Sequence, residues 1–174
     1  MAFSFWHSRG NETPIAIPAI GLDLFVRMPP ASSDAVMTVI ETINAPGFGP
    51  PRHRHNEVEV FRVLEGRYLY EVDGQRFYAE VGDLVSVPGG VEHGFVNITS
   101  RPARQLIMIL PGLDAARFFT ELGGVMKNGI PDQQALDAFG QRWNVEFLGP
   151  PVKLSDDPSG APSARAASFV PDAY

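Results

Sequence analysis

The 174-residue chain contains no cysteine. That excludes a disulfide framework, thiolate zinc sites, iron–sulfur clusters and a cysteine nucleophile, so any metal must sit among nitrogen and oxygen ligands. Histidine is scarce, with four residues in all. Basic residues never run five in a row, and the formal net charge is −6. Both facts argue against a broad nucleic-acid or anionic-membrane surface. Long apolar runs are missing too. The most apolar early segment, Ile15 to Met28, is interrupted by Pro18, Gly21 and Asp23, so no spanning helix is expected. The first ten residues, MAFSFWHSRG, lack the basic start and apolar stretch of a secretory signal, and the expected address is cytoplasmic.

Turn-forming residues are abundant instead, with 17 glycines and 16 prolines. Such punctuation favours short strands over long helices. From about residue 15 to 111 the chain alternates β-prone runs with Gly, Pro, Asn or Asp. Leu22 to Val26, Ala35 to Ile43, Val58 to Leu64, Tyr68 to Val72, Gln75 to Ala79, Leu84 to Val87, Phe95 to Ile98 and Gln105 to Leu110 read as strands. Ala35 to Ile43 is apolar on both faces, as in a strand covered on both sides. Asp73-Gly74 suits a two-residue hairpin turn, and Glu65-Gly66 marks a second turn. The expected class is all-β, an antiparallel sandwich or barrel.

After Pro111 a helical extension is expected over about 112–150. Ala115 to Leu122 precedes a Gly123-Gly124 stop, and Asp132 opens a stretch with Leu136, Phe139 and Trp143 at helical spacing. Phe118, Phe119 and Trp143 are expected to pack helix on sheet. Residues 1–154 read as a single domain, and residues 155–174 as a flexible tail of small, polar and proline residues.

Three of the four histidines fall in two glycine-bounded blocks. GFGPPRHRHNEVEVFRVLEG, from Gly47 to Gly66, has the form G-x5-H-x-H-x3-E-x6-G. GDLVSVPGGVEHGFVN, from Gly82 to Asn97, has the form G-x5-P-x-G-x2-H-x3-N, with fifteen residues between the two blocks. Residues two apart on a strand share a face, so His53 and His55 present two imidazoles together. Neutral imidazole suits borderline divalent metals. Glu59 has the same parity, yet a straight strand would carry it ~20 Å from His53. Ligand atoms around one ion lie ~3 Å apart, so the chain must turn between His55 and Glu59, where Asn56 tolerates a turn. His93 arrives from another strand after Pro88-Gly89-Gly90. Three imidazoles and a carboxylate leave two positions of an octahedral shell open.

These two blocks resemble the paired motifs of the cupin superfamily. The resemblance covers residues 47–97 directly and about 15–111 by pattern. It implies a jelly-roll β-barrel with a short C-terminal helical extension, commonly a homodimer. His53, His55, Glu59 and His93 would hold one divalent transition metal, whether Fe, Ni, Co, Mn, Cu or Zn, with Asn97 structural. The run after Pro111 and the segment NVEFLGPP (144–151) are similar to the extension of single-domain, quercetin 2,3-dioxygenase-like cupins. There the metal carboxylate accepts the proton of a flavonol hydroxyl and dioxygen opens the ring, which would make Glu59 both ligand and base.

By parity, Phe61 and Phe95 face the interior near these ligands, and Tyr68 and Tyr70 share a face of the next strand. All four are candidates for substrate binding and equally for plain core. Glu57 is expected in the turn, pointing outward. Arg62 opposes Phe61 and is expected on the outer face, and His7 on the surface. The expected function is a metal-dependent oxygenase using dioxygen on a small aromatic or enolisable hydroxyl compound. The alternatives are an isomerase or decarboxylase at the same metal, and a non-catalytic binding barrel. No helix-turn-helix or basic stripe accompanies the barrel, so no nucleic-acid or membrane partner is expected.

Overall fold

A computed structural model describes residues 3–154. The tail expected at 155–174 lies outside the described residues. Eleven strands and two α-helices are arranged among them: β1 (Ile15–Ile17), β2 (Leu22–Met28), β3 (Thr38–Asn44), β4 (Pro51–His55), β5 (Val58–Glu65), β6 (Arg67–Val72), β7 (Gln75–Glu80), β8 (Leu84–Val87), β9 (His93–Asn97), β10 (Ala103–Leu110), α1 (Ala115–Val125), α2 (Gln133–Trp143) and β11 (Val145–Pro151). Two antiparallel sheets form a jelly roll, in the orders β1-β2-β3-β10-β5-β8 and β11-β4-β9-β6-β7.

The alternation read from the sequence sets the two faces of each strand. β10 buries every second residue, from Ala103 to Ile109, and leaves Leu106 and Met108 half-buried on the outer side. Inward-facing Leu24, Ile40, Phe61, Val63 and Val87 are almost fully buried between the sheets. Each such side chain contributes roughly 1.5–3 kcal/mol of apolar burial. Asp73 and Gly74 both take positive φ, 50° and 71°, the type I′ geometry whose twist matches the β6–β7 hairpin. Asn97 is fully buried. Its amide donates to the carbonyls of Asn44 and Arg101 and its carbonyl accepts from Thr99, locking the end of β9 to neighbouring loops.

Three boundaries differ from the sequence expectation. The strand expected at Ala35 begins at Thr38, because Asp34 and Ala35 adopt positive φ after a short 3₁₀ turn and redirect the chain. Helix α1 continues through Gly123-Gly124 to Val125, with the Met126 amide closing on the Leu122 carbonyl. Gly123 lies beside Ile17 of β1, where a Cβ would meet the Ile17 side chain at 3.5 Å. The largest difference is β11. The region expected to be helical up to residue 150 turns back at Asn144, in left-handed conformation, and becomes a strand. Val145, Phe147 and Pro151 pair with His55, His53 and Pro51 of β4. Helix α2 itself starts as expected, its Asp132 side chain accepting from the Ala135 amide.

Candidate metal centre

The His-x-His strand and the glutamate strand belong to different sheets. β4 ends at His55, the chain bends through Asn56 and Glu57, and β5 begins in the opposite sheet. That crossing brings Glu59 back over the imidazoles, as the ligand-distance argument requires. β4 meets β9 through one pair, His53 opposite His93. The turn before β9 is fixed from both sides. The Gly90 amide donates to the His55 carbonyl at 2.6 Å. A Cβ at Gly89 would fall 2.1 Å from the Asn56 carbonyl oxygen, so only glycine permits this approach.

His53, His55, Glu59 and His93 each offer one ligand atom, and these atoms all lie within 4.8 Å of one another. Glu59 Oε2 lies 3.1 Å from His93 Nε2 and 3.6 Å from His55 Nε2. Donors bonded to one ion at about 2.1 Å are at most ~4.2 Å apart, so a small contraction closes the shell. The far side of each ring supports the fit. His53 Nδ1 donates to the Pro51 carbonyl at 2.7 Å and His93 Nδ1 to the Val91 carbonyl at 3.0 Å. A carbonyl only accepts, so both rings carry a proton on Nδ1 and turn Nε2 inward, the arrangement found behind metal-bound histidines. His55 Nδ1 lies 3.2 Å from Glu57 Oε2, within ion-pair distance but off the line of a hydrogen bond. This His/Glu cluster could hold a divalent metal ion.

Electrostatics agree with the geometry. Burial, reinforced by His93 and His55, lowers the His53 pKa to about 3, keeping that ring neutral. At His55 burial works in the same direction but is outweighed by Glu57 and Glu59, and its pKa rises to about 10. Burial also opposes ionisation of Glu59, yet hydrogen bonds from His55 and His93 hold its carboxyl well below the usual carboxylate range. Pairing with His55 lowers Glu57 as well. Two carboxylates thus concentrate negative potential where a cation would sit.

The cluster opens into an apolar chamber between the sheets. Of the four aromatic candidates, Phe61 and Phe95 line it and Tyr68 and Tyr70 do not. Both tyrosines face inward as parity requires, but deeper in the barrel, fully buried. Their hydroxyls donate to Asn44 Oδ1 at 3.0 Å and Gln105 Oε1 at 2.5 Å, so they are core. Glu57 also departs from expectation, since it lines the chamber and backs His55 rather than pointing outward. Phe118, Phe119 and Trp143 line the chamber besides packing helix on sheet. Arg62 is exposed on the outer face, as expected. Val145 and Phe147 were not singled out in the sequence, although their period-two spacing was the available signal.

Residues 40–109 match the family model described as a cupin domain. No curated protein matches the chain. Among solved structures, the chain is similar to a predicted oxalate decarboxylase from Thermotoga maritima, with 18% identity, 59% of this chain and 95% of that one covered, and a TM-score of 0.55. It is similar to KdgF from Halomonas sp. at 15% identity, covering 67% and 98%, with a TM-score of 0.55. The polyketide cyclase RemF from Streptomyces resistomycificus gives 18% identity, 62% and 80% coverage, and a TM-score of 0.53. At these identities the likeness is one of fold. The domain match thus lies inside a cupin jelly roll, the fold that these structures share.

Proposed function

We propose that the chain is a metal-dependent oxygenase acting on a small aromatic or enolisable hydroxyl compound, with His53, His55, Glu59 and His93 as the metal ligands. The observation carrying this reading is the convergence of four ligand atoms at the polar end of an otherwise apolar chamber. A bound divalent ion supplies Lewis acidity and, if redox-active, electrons for dioxygen. The chain's residues do the remaining work. Glu59, reaching in from β5, accepts the proton of the substrate hydroxyl. Glu57 and the Pro51 and Val91 carbonyls fix the rings, and Phe61 and Phe95 exclude water from beside the reacting group. The free volume of the chamber is about 90 Å³, less than the ~150 Å³ of an apolar cavity that binds benzene. A three-ring flavonol therefore needs the chamber to widen, and smaller enols suit it better. The same reading includes a homodimer, to which half-buried Leu106 and Met108 on the outer face of the six-stranded sheet would offer apolar surface.

The test is oxygen uptake with a panel of small enols and phenols, after reconstitution with each first-row divalent metal. Uptake that depends on metal and disappears in His53→Ala supports the reading. Turnover that proceeds equally without oxygen moves the protein to the isomerase or decarboxylase class, and no turnover with any metal counts against catalysis.

A further inference from the structure

The chamber has two halves of different origin. Its floor comes from the barrel, most of it within the residues that match the cupin domain, with Ile20 and Leu22 from before them. Its roof comes from outside them: Leu113, Phe118, Phe119 and Leu122 on and before α1, Trp143 at the end of α2, and Val145 and Phe147 on β11. The roof is a connected layer. Phe118 packs edge-on against both Phe139 and Trp143 at 5.3 Å, Phe139 lies 6.3 Å from Phe147, and Phe147 lies 6.3 Å from His53. Its one polar group there points elsewhere, since Trp143 Nε1 donates to Glu121 Oε2 and ties the two helices together.

From this division we infer that the roof of α1, α2 and β11 is the specificity element of the site, selecting a neutral, apolar ligand of one ring at most. Two observations fix the class. Among the described residues lining the chamber there is no lysine or arginine, while Glu57 and Glu59 both line it. An anionic ligand would leave water for an apolar wall and find no net positive charge there even with a divalent ion bound, because Glu57 and Glu59 balance that ion. A neutral hydroxyl compound loses little beyond one hydroxyl's hydration, which the carboxylates restore by accepting its proton or hydrogen bond. Free volume sets the size limit given above. The inference rests on the proposed site, but the roof's selection does not require turnover.

Trp143 provides the readout. The chain has two tryptophans, Trp6 and Trp143, so in a Trp6→Phe background Trp143 alone reports occupancy of the chamber. Phenol and benzoate, both single rings, the one neutral and the other anionic at pH 7.5, are titrated against metal-loaded and metal-free protein. The expected result is saturable quenching by phenol with at least ~10-fold weaker binding of benzoate. Phe119→Lys, which places a cation in the roof, should shift that ratio toward benzoate by ~10-fold or more. Equal or tighter benzoate binding without the lysine, or no saturable quenching by phenol, overturns the inference. Metal content is measured on the same samples. Protein that takes up no metal yet still discriminates phenol from benzoate sinks the metal reading and leaves the roof's role standing.

Discussion

His53 and His93 face each other across the one residue pair that joins β4 to β9, their ring centroids 4.5 Å apart. Two of the proposed ligands are therefore also the cross-strand contact that fastens their strands. Replacing His53 with alanine should lower metal affinity by at least ~100-fold, more than the 10–100-fold typical of losing an outer partner. Metal stoichiometry by elemental analysis checks this, and an unchanged ratio removes His53 from the site.

Glu57 backs His55 without being one of the four converging ligands. Glu57→Ala should lower metal affinity ~10–100-fold while leaving the unfolding midpoint nearly unchanged, because the side chain is not part of the core. Competition with a chelator of known affinity reads the first quantity and urea unfolding the second. Affinity equal to wild type would show that His55 needs no support from this side.

Phe147 is buried against the roof and sits opposite His53 in the β11–β4 ladder. Phe147→Ala should cost about 3–5 kcal/mol of stability and loosen metal binding as well, since it weakens the strand that positions His53 and His55. A destabilised variant whose metal affinity is fully retained would separate β11 from the site.

Glu41 on the outer face of β3 is paired with Arg27 at 2.9 Å and with Arg104, and its side chain is 8% exposed. Burial opposes its ionisation, but the two guanidinium groups prevail and its pKa is lowered from 4.5. A carboxylate with a depressed folded pKa stabilises fully above its unfolded value, and loses that contribution as pH falls through the folded value. Wild type should therefore lose stability more steeply than Glu41→Gln as pH falls below 4.5. At pH 7 the variant should already be weaker by about 3 kcal/mol, the scale of breaking a buried pair. Urea midpoints across pH check both, and parallel curves would exclude Glu41 as a source of acid sensitivity.

Strand alternation and the spacing of His53, His55, Glu59 and His93 were enough to expect the barrel and to nominate its ligands, because both follow from local periodicity and from the reach of a short chain. Depth along the barrel does not. Parity put Tyr68 and Tyr70 on one shared face, but nothing in the alternation distinguishes a residue beside the chamber from one beneath it. Glu57 was misplaced because turn propensity is silent about which way a turn residue leans once two sheets close over it. β11 was hidden for another reason. Its partner strand is some ninety residues away, its end carries the glycine and prolines that usually argue against a strand, and the helical period of α2 runs up to its first residue.

The late position of β11 has a consequence for how the protein is made. β4 carries two proposed ligands, yet among the described residues its registered partners are one residue of β9 and five of β11. As the chain leaves the ribosome, all four ligand residues are out long before residues 145–151 follow, and until then one edge of the ligand strand has no neighbour. Firm ordering of His53 and His55 therefore waits on β11, which follows both roof helices in the chain, so the strand that steadies these two residues arrives together with the chamber's apolar cover.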